Sequence, residues 1–128
     1  MIGTKKRFLI VDDEKMIRFF LKEFFNMHEL LVEEATNGKE AIEKWEHDNF
    51  AAILMDINMP EVDGWEATRV IRSREKLEGR PHTPIFGIPG YTYEDFQDKC
   101  DKSGMDGFLP KPVLFNDLIE VILPLANA

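Results

Sequence analysis

Thiol chemistry is nearly missing from this chain, whose single cysteine, Cys100, rules out an internal disulfide framework and fits a reducing compartment. Long hydrophobic runs are missing too. No apolar stretch approaches the roughly 20 residues a membrane span needs, and Met1 to Arg7 is not followed by a signal-peptide apolar core. Basic residues are outnumbered, 16 Lys and Arg against 24 Asp and Glu, and the net charge of -8 argues against a nucleic-acid or anionic-membrane surface. Internal repeats, low-complexity tracts and linkers do not occur. The expected compartment is therefore the cytoplasm, with protein or metal as the expected partners. Neither nucleic acid nor membrane is expected.

What is present reads as an ordinary globule. The 128 residues, 44% hydrophobic and 31% charged, fit one domain that can bury most of its apolar surface without staples. Short apolar runs alternate with helix-period patterns along the whole chain. Phe8 to Val11 reads as a strand, and Met16, Ile17, Phe20, Leu21 and Phe24 then form one helical stripe. Leu30 to Glu34 is a second strand candidate. Asn37 with Glu40 three residues on resembles a helix N-cap, and Ala41, Ile42 and Trp45 supply the stripe that follows. Ala51 to Met55 is an almost uninterrupted buried strand, followed by a helix from about Asp63 that buries Ala67, Val70 and Ile71. The polar stretch Arg72 to Thr83 reads as a long charged connection. Pro84 to Ile88 and Thr92 to Ser103 form the fourth strand and helix, with Phe96 and Cys100 inward; Asp106 to Leu109 and Leu114 to Ala126 form the fifth pair, with Pro124 ending or kinking the last helix. Continuous apolar strands between amphipathic helices imply an α/β three-layer sandwich around a five-stranded parallel sheet with five helices.

Chemistry gathers at the strand ends. Asp12 and Asp13 close the first strand, Asp56 closes the third, and Lys111 follows Gly107-Phe108-Leu109. Each has a bland reading by itself: an Asp after a strand caps the next helix, Asp56 is a turn residue before Pro60, and Lys111 is a solvated lysine between two prolines. Together they say more. If the strand order is 2-1-3-4-5, the first and third strands are neighbours at the topological switch point, where ligands bind. Three carboxylates crowd there, and they repel one another unless a cation neutralises them.

The motifs Val11-Asp12-Asp13-Glu14, Met55-Asp56-Ile57-Asn58-Met59-Pro60 with Asp63-Gly64, and Gly104-Met105-Asp106-Gly107-Phe108-Leu109-Pro110-Lys111-Pro112 resemble a response-regulator receiver domain of two-component signalling, a flavodoxin-like fold. The resemblance covers residues 5 to 126, so that 1–128 reads as one receiver domain, and the Gly-Met-Asp-Gly-Phe wording resembles receivers attached to hybrid histidine kinases. It implies a phosphoacceptor rather than an enzyme, one that assists its own phosphorylation and dephosphorylation. Asp56 is then the residue that attacks a phosphohistidine and becomes an acyl phosphate. Asp13, Asp56 and the main-chain carbonyl of Asn58 hold Mg²⁺, or Mn²⁺ in its place, and Asp12 acts through a metal-bound water. Lys111 and the main-chain N–H groups of Gly90 and Asn58 bind the phosphoryl group. The implied partners are a histidine kinase or histidine phosphotransfer protein and an output domain or protein, with the chain a monomer or weak dimer.

One position departs from the family pattern. Where a Thr or Ser usually ends the fourth strand, this chain has Pro89, followed by the small residue Gly90. In receivers that hydroxyl bonds a phosphoryl oxygen and frees an aromatic on the fifth strand, here Phe108, to rotate inward. Pro89 has no hydroxyl to give, and Phe108 reads equally as an ordinary core or surface-edge aromatic. Tyr91 and Thr92 carry hydroxyls nearby, although Thr92 with Asp95 also suits the cap of the fourth helix. A receiver-like interaction module with phosphate-independent or weakened switching is therefore a second reading. A flavin-binding protein of the same layered fold is a third, disfavoured because Asp12-Asp13-Glu14 would repel a flavin phosphate.

Overall fold

The computed structural model describes residues 6–57, 59, 62–89, 98, 102–109 and 112–127. In chain order the elements are β1 (Arg7–Val11), α1 (Lys15–Met27), β2 (Leu31–Ala35), α2 (Gly38–His47), β3 (Ala52–Asp56), α3 (Gly64–Glu78), β4 (Ile85–Ile88), β5 (Gly107–Phe108) and α4 (Phe115–Ala126). The strands form one parallel sheet of order β2-β1-β3-β4-β5, the order that the switch-point reading requires. Alternation along the strands divides the core in two. Leu9, Val11, Ile53, Met55 and Ile85 pack with Ala41 and Trp45 of α2 and Ala67 and Ile71 of α3. On the opposite face Phe8, Ile10, Leu54 and Ile88 pack with Leu21, Phe24 and Phe25 of α1 and Leu118 and Ile122 of α4. With apolar residues on both faces, β3 is buried along its whole length, as a central parallel strand covered by helices must be.

Caps fix where the helices start and stop. The Asn37 side chain accepts from the Glu40 N–H at 2.8 Å and the Asp63 side chain from the Glu66 N–H at 2.8 Å, each satisfying a donor that a first helical turn leaves orphaned. Gly79, at φ 66, ends α3 in the left-handed conformation a side chain would resist.

Three expectations are corrected. The buried face of α1 centres on Leu21, Phe24 and Phe25, leaving Met16 75% and Phe20 42% exposed. Phe20 sits on the flank of the helix, where its ring lies 5.1 Å from that of Phe115 in α4. Second, Arg72 to Glu78 is no loop but the second half of α3. Its inward-facing Glu75 is buried yet matched, accepting from Arg72 Nη1 at 2.8 Å and from the Thr83 N–H at 2.7 Å, so polarity there marks a satisfied helix face. Third, α4 does not end at Pro124 but runs on to Ala126; the carbonyl deprived of its donor belongs to Glu120, an exposed residue. The helix expected over Thr92 to Ser103 lies largely outside the described residues, as do Phe96 and Cys100; of it, Asp98, Lys102 and Ser103 are helical, and Lys102 pairs with Asp98 at 2.9 Å. Among the described residues there are thus four complete helices rather than five.

Candidate functional site

The register carries the acids to one edge of the sheet. Val11 pairs with Met55, so the residues that follow, Asp12 and Asp56, emerge side by side at the carboxyl ends of β1 and β3. One oxygen from each of Asp12, Asp13 and Asp56 lies within 4.8 Å of the other two. Asp12 is fully buried and Asp56 is 2% exposed, while Asp13 faces solvent. Two buried carboxylates in one place are costly as anions, because burial strips their hydration and the negative charge of each disfavours the charged form of the other.

Local hydrogen bonds hold each acid. Asp12 continues the ladder, its N–H donating to the Ala35 carbonyl at 3.1 Å, and its Oδ1 accepts from the Glu14 N–H at 2.8 Å. That is a turn-forming contact two residues on, while the N-cap position of α1 belongs to Glu14, which makes no side-chain cap bond. The capping explanation of Asp12 therefore fails. Past Asp56 the chain turns tightly: the Ile57 carbonyl accepts from Met59 N–H at 3.2 Å and Gly64 N–H at 3.4 Å, which seats the start of α3 against the end of β3.

Of the other expected site residues, Asn58, Gly90 and Lys111 lie outside the described residues, as do Tyr91, Thr92 and Asp95. Pro89 is buried directly after β4. Phe108 pairs in register with Gly87, is half-buried and packs on the core cluster that holds Ile85 and Met105.

The sequence reading missed one group at the site. Arg18, in the first turns of α1, donates from Nη1 to the Asp12 main-chain carbonyl at 2.8 Å and from Nε to Glu34 Oε1 at 3.1 Å, with its side chain only 13% exposed. Lys22 reaches the other Glu34 oxygen at 3.0 Å. Burial pushes the Glu34 carboxyl up, but the Lys22 and Arg18 hydrogen bonds and charges outweigh it and hold the group below its ordinary 4.5. A signal was available: Arg18 and Lys22 are four apart on α1, on one face, and Glu34 sits in a strand too polar to be covered on both sides.

The profile of the response regulator receiver domain matches residues 8–123. The chain belongs to the response-regulator receiver domain family. It is 35% identical over 122 residues to hybrid signal transduction histidine kinase F of Dictyostelium discoideum, an alignment covering 94% of this chain and 11% of that protein. The chain thus spans about a tenth of that relative's length. Among solved structures it resembles the receiver domain of the Saccharomyces cerevisiae response regulator Ssk1, crystallised with the histidine phosphotransfer protein Ypd1 (TM-score 0.83, 28% identity, 99% of this chain and 92% of that one). The receiver domain of the sensor histidine kinase PA1611 of Pseudomonas aeruginosa, with a magnesium ion in its active-site cleft, shares the fold (TM-score 0.84, 24% identity, 98% of this chain and all of the other). The receiver assignment and the sheet order read from the sequence both hold. No helix among the described residues is long and apolar enough to cross a membrane.

Proposed function

We propose that this chain is a single phosphoacceptor receiver unit that takes a phosphoryl group onto Asp56 from the phosphohistidine of a histidine kinase or histidine phosphotransfer protein, and through it regulates an attached output or a partner. The observation that carries this reading is the convergence of Asp12, Asp13 and Asp56 within 4.8 Å at the carboxyl edge of the sheet. A metal fits this donor set. The ligands are all hard carboxylate oxygens, suited to magnesium, which needs few protein ligands because it keeps several waters; the family resemblance assigns direct bonds to Asp13 and Asp56 and a water-mediated one to Asp12. The Asn58 main-chain carbonyl, assigned by the same resemblance, would complete the protein ligands. When bound, Mg²⁺ supplies the positive charge that offsets the carboxylates and an incoming phosphoryl group.

The residues divide the remaining work. An Asp56 oxygen forms the new O–P bond as the N–P bond of the donor breaks, and the imidazole leaves with the electron pair of that bond. Asp12 and Asp13 position the acceptor's surroundings, Lys111 pairs with the transferring oxygens, and the Gly90 and Asn58 N–H groups bind the phosphoryl group. The cytoplasm suits a donor of this kind. Partner support comes from the Ssk1 receiver, a relative in structure that was crystallised with a histidine phosphotransfer protein.

The test is labelling of the whole chain with a small phosphodonor such as phosphoramidate, read by intact mass and by peptide mapping. A single Mg²⁺-dependent adduct on Asp56, lost in Asp56→Asn and in excess chelator, is expected. Full labelling of Asp56→Asn, or labelling undiminished by the chelator, refutes the reading.

A further inference from the structure

On the reading of the carboxylate cluster as a cation site, we propose that Arg18 is its positioning residue: anchored on Glu34, its guanidinium grips the Asp12 main-chain carbonyl and fixes the Asp12–Asp13 turn in the conformation that presents both side chains to the cation. The geometry runs through the peptide plane. The Asp12 carbonyl and the Asp13 N–H belong to one rigid unit, so a donor that fixes the oxygen also fixes the direction in which Asp13 leaves β1. Asp13 needs that help more than its neighbours. Asp12 is buried and tied to the Glu14 N–H, and Asp56 is buried at the end of the central strand, but Asp13 faces solvent.

The grip is itself braced. Arg18 reaches Asp12 with Nη1 and Glu34 with Nε, two donors on one planar fork, and Lys22 holds the second Glu34 oxygen while the Lys44 ammonium bonds the Glu34 main-chain carbonyl. The result ties α1, the end of β1, β2 and α2 together behind the acids. A lysine at position 18 would keep the charge but not the two-pronged geometry.

The sign of the effect separates positioning from charge. Arg18 places a positive group next to a site that would take a cation, so on electrostatics alone its removal tightens metal binding. If it orients the turn, its removal weakens binding. Groups that orient metal ligands in this way change affinity by about 10- to 100-fold when mutated.

The experiment titrates Mg²⁺ into wild type, Arg18→Ala, Arg18→Lys and Glu34→Gln by calorimetry, with thermal unfolding followed in parallel with and without the ion. About tenfold weaker binding is expected for Arg18→Ala despite the lost positive charge, with partial recovery in Arg18→Lys and a smaller loss in Glu34→Gln, where the anchor is weakened. The Mg²⁺-induced rise in unfolding temperature should shrink in the same order, whereas a purely structural role lowers both curves equally. Equal or tighter Mg²⁺ binding by Arg18→Ala overturns the inference. Should that variant not fold, undiminished binding by both Arg18→Lys and Glu34→Gln overturns it instead. Wild type that binds no Mg²⁺ overturns the cation reading and the inference together.

Discussion

Gly64 stands so close to Asp56 that a Cβ added to it would lie 2.5 Å from the Asp56 carbonyl oxygen and 3.0 Å from Met55 Cγ. The obstacle is backbone, which cannot swing aside as a flexible side chain can. The first residue of α3 is thus pressed against the strand that ends in Asp56, the proposed acceptor, with the Gly64 N–H donating to the Ile57 carbonyl. Gly64→Ala should force the helix start away from β3, at a cost of about 1–3 kcal/mol typical of overpacking. Asp56 should move with it, so Mg²⁺-dependent labelling should slow as stability falls. Denaturant unfolding alongside phosphoramidate labelling checks this; an unchanged midpoint and rate would show that the contact yields at no cost.

A second consequence concerns Arg72. Its guanidinium donates to the Gly104 carbonyl at 2.9 Å, to Glu75 at 2.8 Å and to Asp106 at 2.9 Å, fastening α3 to the segment that leads into β5. Asp106 in turn accepts from the Ile85 N–H at 2.8 Å and meets His82 Nε2 at 2.7 Å. Removing Arg72 leaves Glu75 as a buried carboxylate that keeps, among the described residues, only the Thr83 N–H. Such losses cost about 3–5 kcal/mol, so Arg72→Met should lower stability by roughly 3 kcal/mol, and adding Glu75→Gln should recover part of it. A loss under about 1 kcal/mol in chemical denaturation would place this group among ordinary surface ion pairs.

How far the sequence could be read depends on what wrote each feature. Strands buried on both faces are uninterrupted apolar runs, so β1 and β3 were legible, and with them the meeting of Asp12, Asp13 and Asp56. Asn37 and Asp63 announced their helices because capping is local chemistry. The second half of α3 was illegible for the opposite reason: Arg72 and Glu75 are a matched pair, and the Arg72 partners Gly104 and Asp106 lie far along the chain, while Glu75 takes a main-chain N–H from Thr83. For Arg18 the spacing with Lys22 and the polar strand around Glu34 hinted at the ion pair, but its bond to the Asp12 main-chain carbonyl leaves no mark in the side-chain pattern. The rotation of the α1 stripe toward Phe25 reflects the flanking contact of Phe20 with Phe115, again a tertiary choice.

Acid should report on the Arg18–Glu34 brace. Because Glu34 titrates below its ordinary 4.5 in the folded protein, the stabilisation is fully present above that value and is lost as pH falls through the lowered folded one. Wild type should therefore be more stable than Glu34→Gln at neutral pH, with the difference vanishing in the acid range. Unfolding curves for both proteins across that range decide the matter. A difference that persists below the folded titration, or grows there, would show that the carboxylate charge is not what the arginine uses.

Pro89 bears on how a phosphorylated Asp56 could be sensed. It is buried directly after β4, and Phe108 sits beside that strand, paired with Gly87, with the Leu109 N–H donating to the Gly87 carbonyl at 2.8 Å. Where the family resemblance places a hydroxyl that bonds a phosphoryl oxygen, this chain has a ring that fixes φ at about -65° and donates nothing. Phosphorylation should still occur, because the proposed acceptor Asp56 and its carboxylate neighbours do not involve position 89. The response of the neighbouring loop and of Phe108 should be weak. A hydrogen bond to a charged group contributes roughly 1.5–3 kcal/mol, comparable to the few kcal/mol that separate two conformations of one protein, so its absence can decide which of them dominates. Pro89→Thr should accordingly enlarge the phosphorylation-dependent amide shifts at Gly90 and Phe108 without raising the extent of labelling at Asp56. If wild type already shows the full shifts and Pro89→Thr adds nothing, the sensing hydroxyl lies elsewhere, with Tyr91 and Thr92 the nearest in sequence.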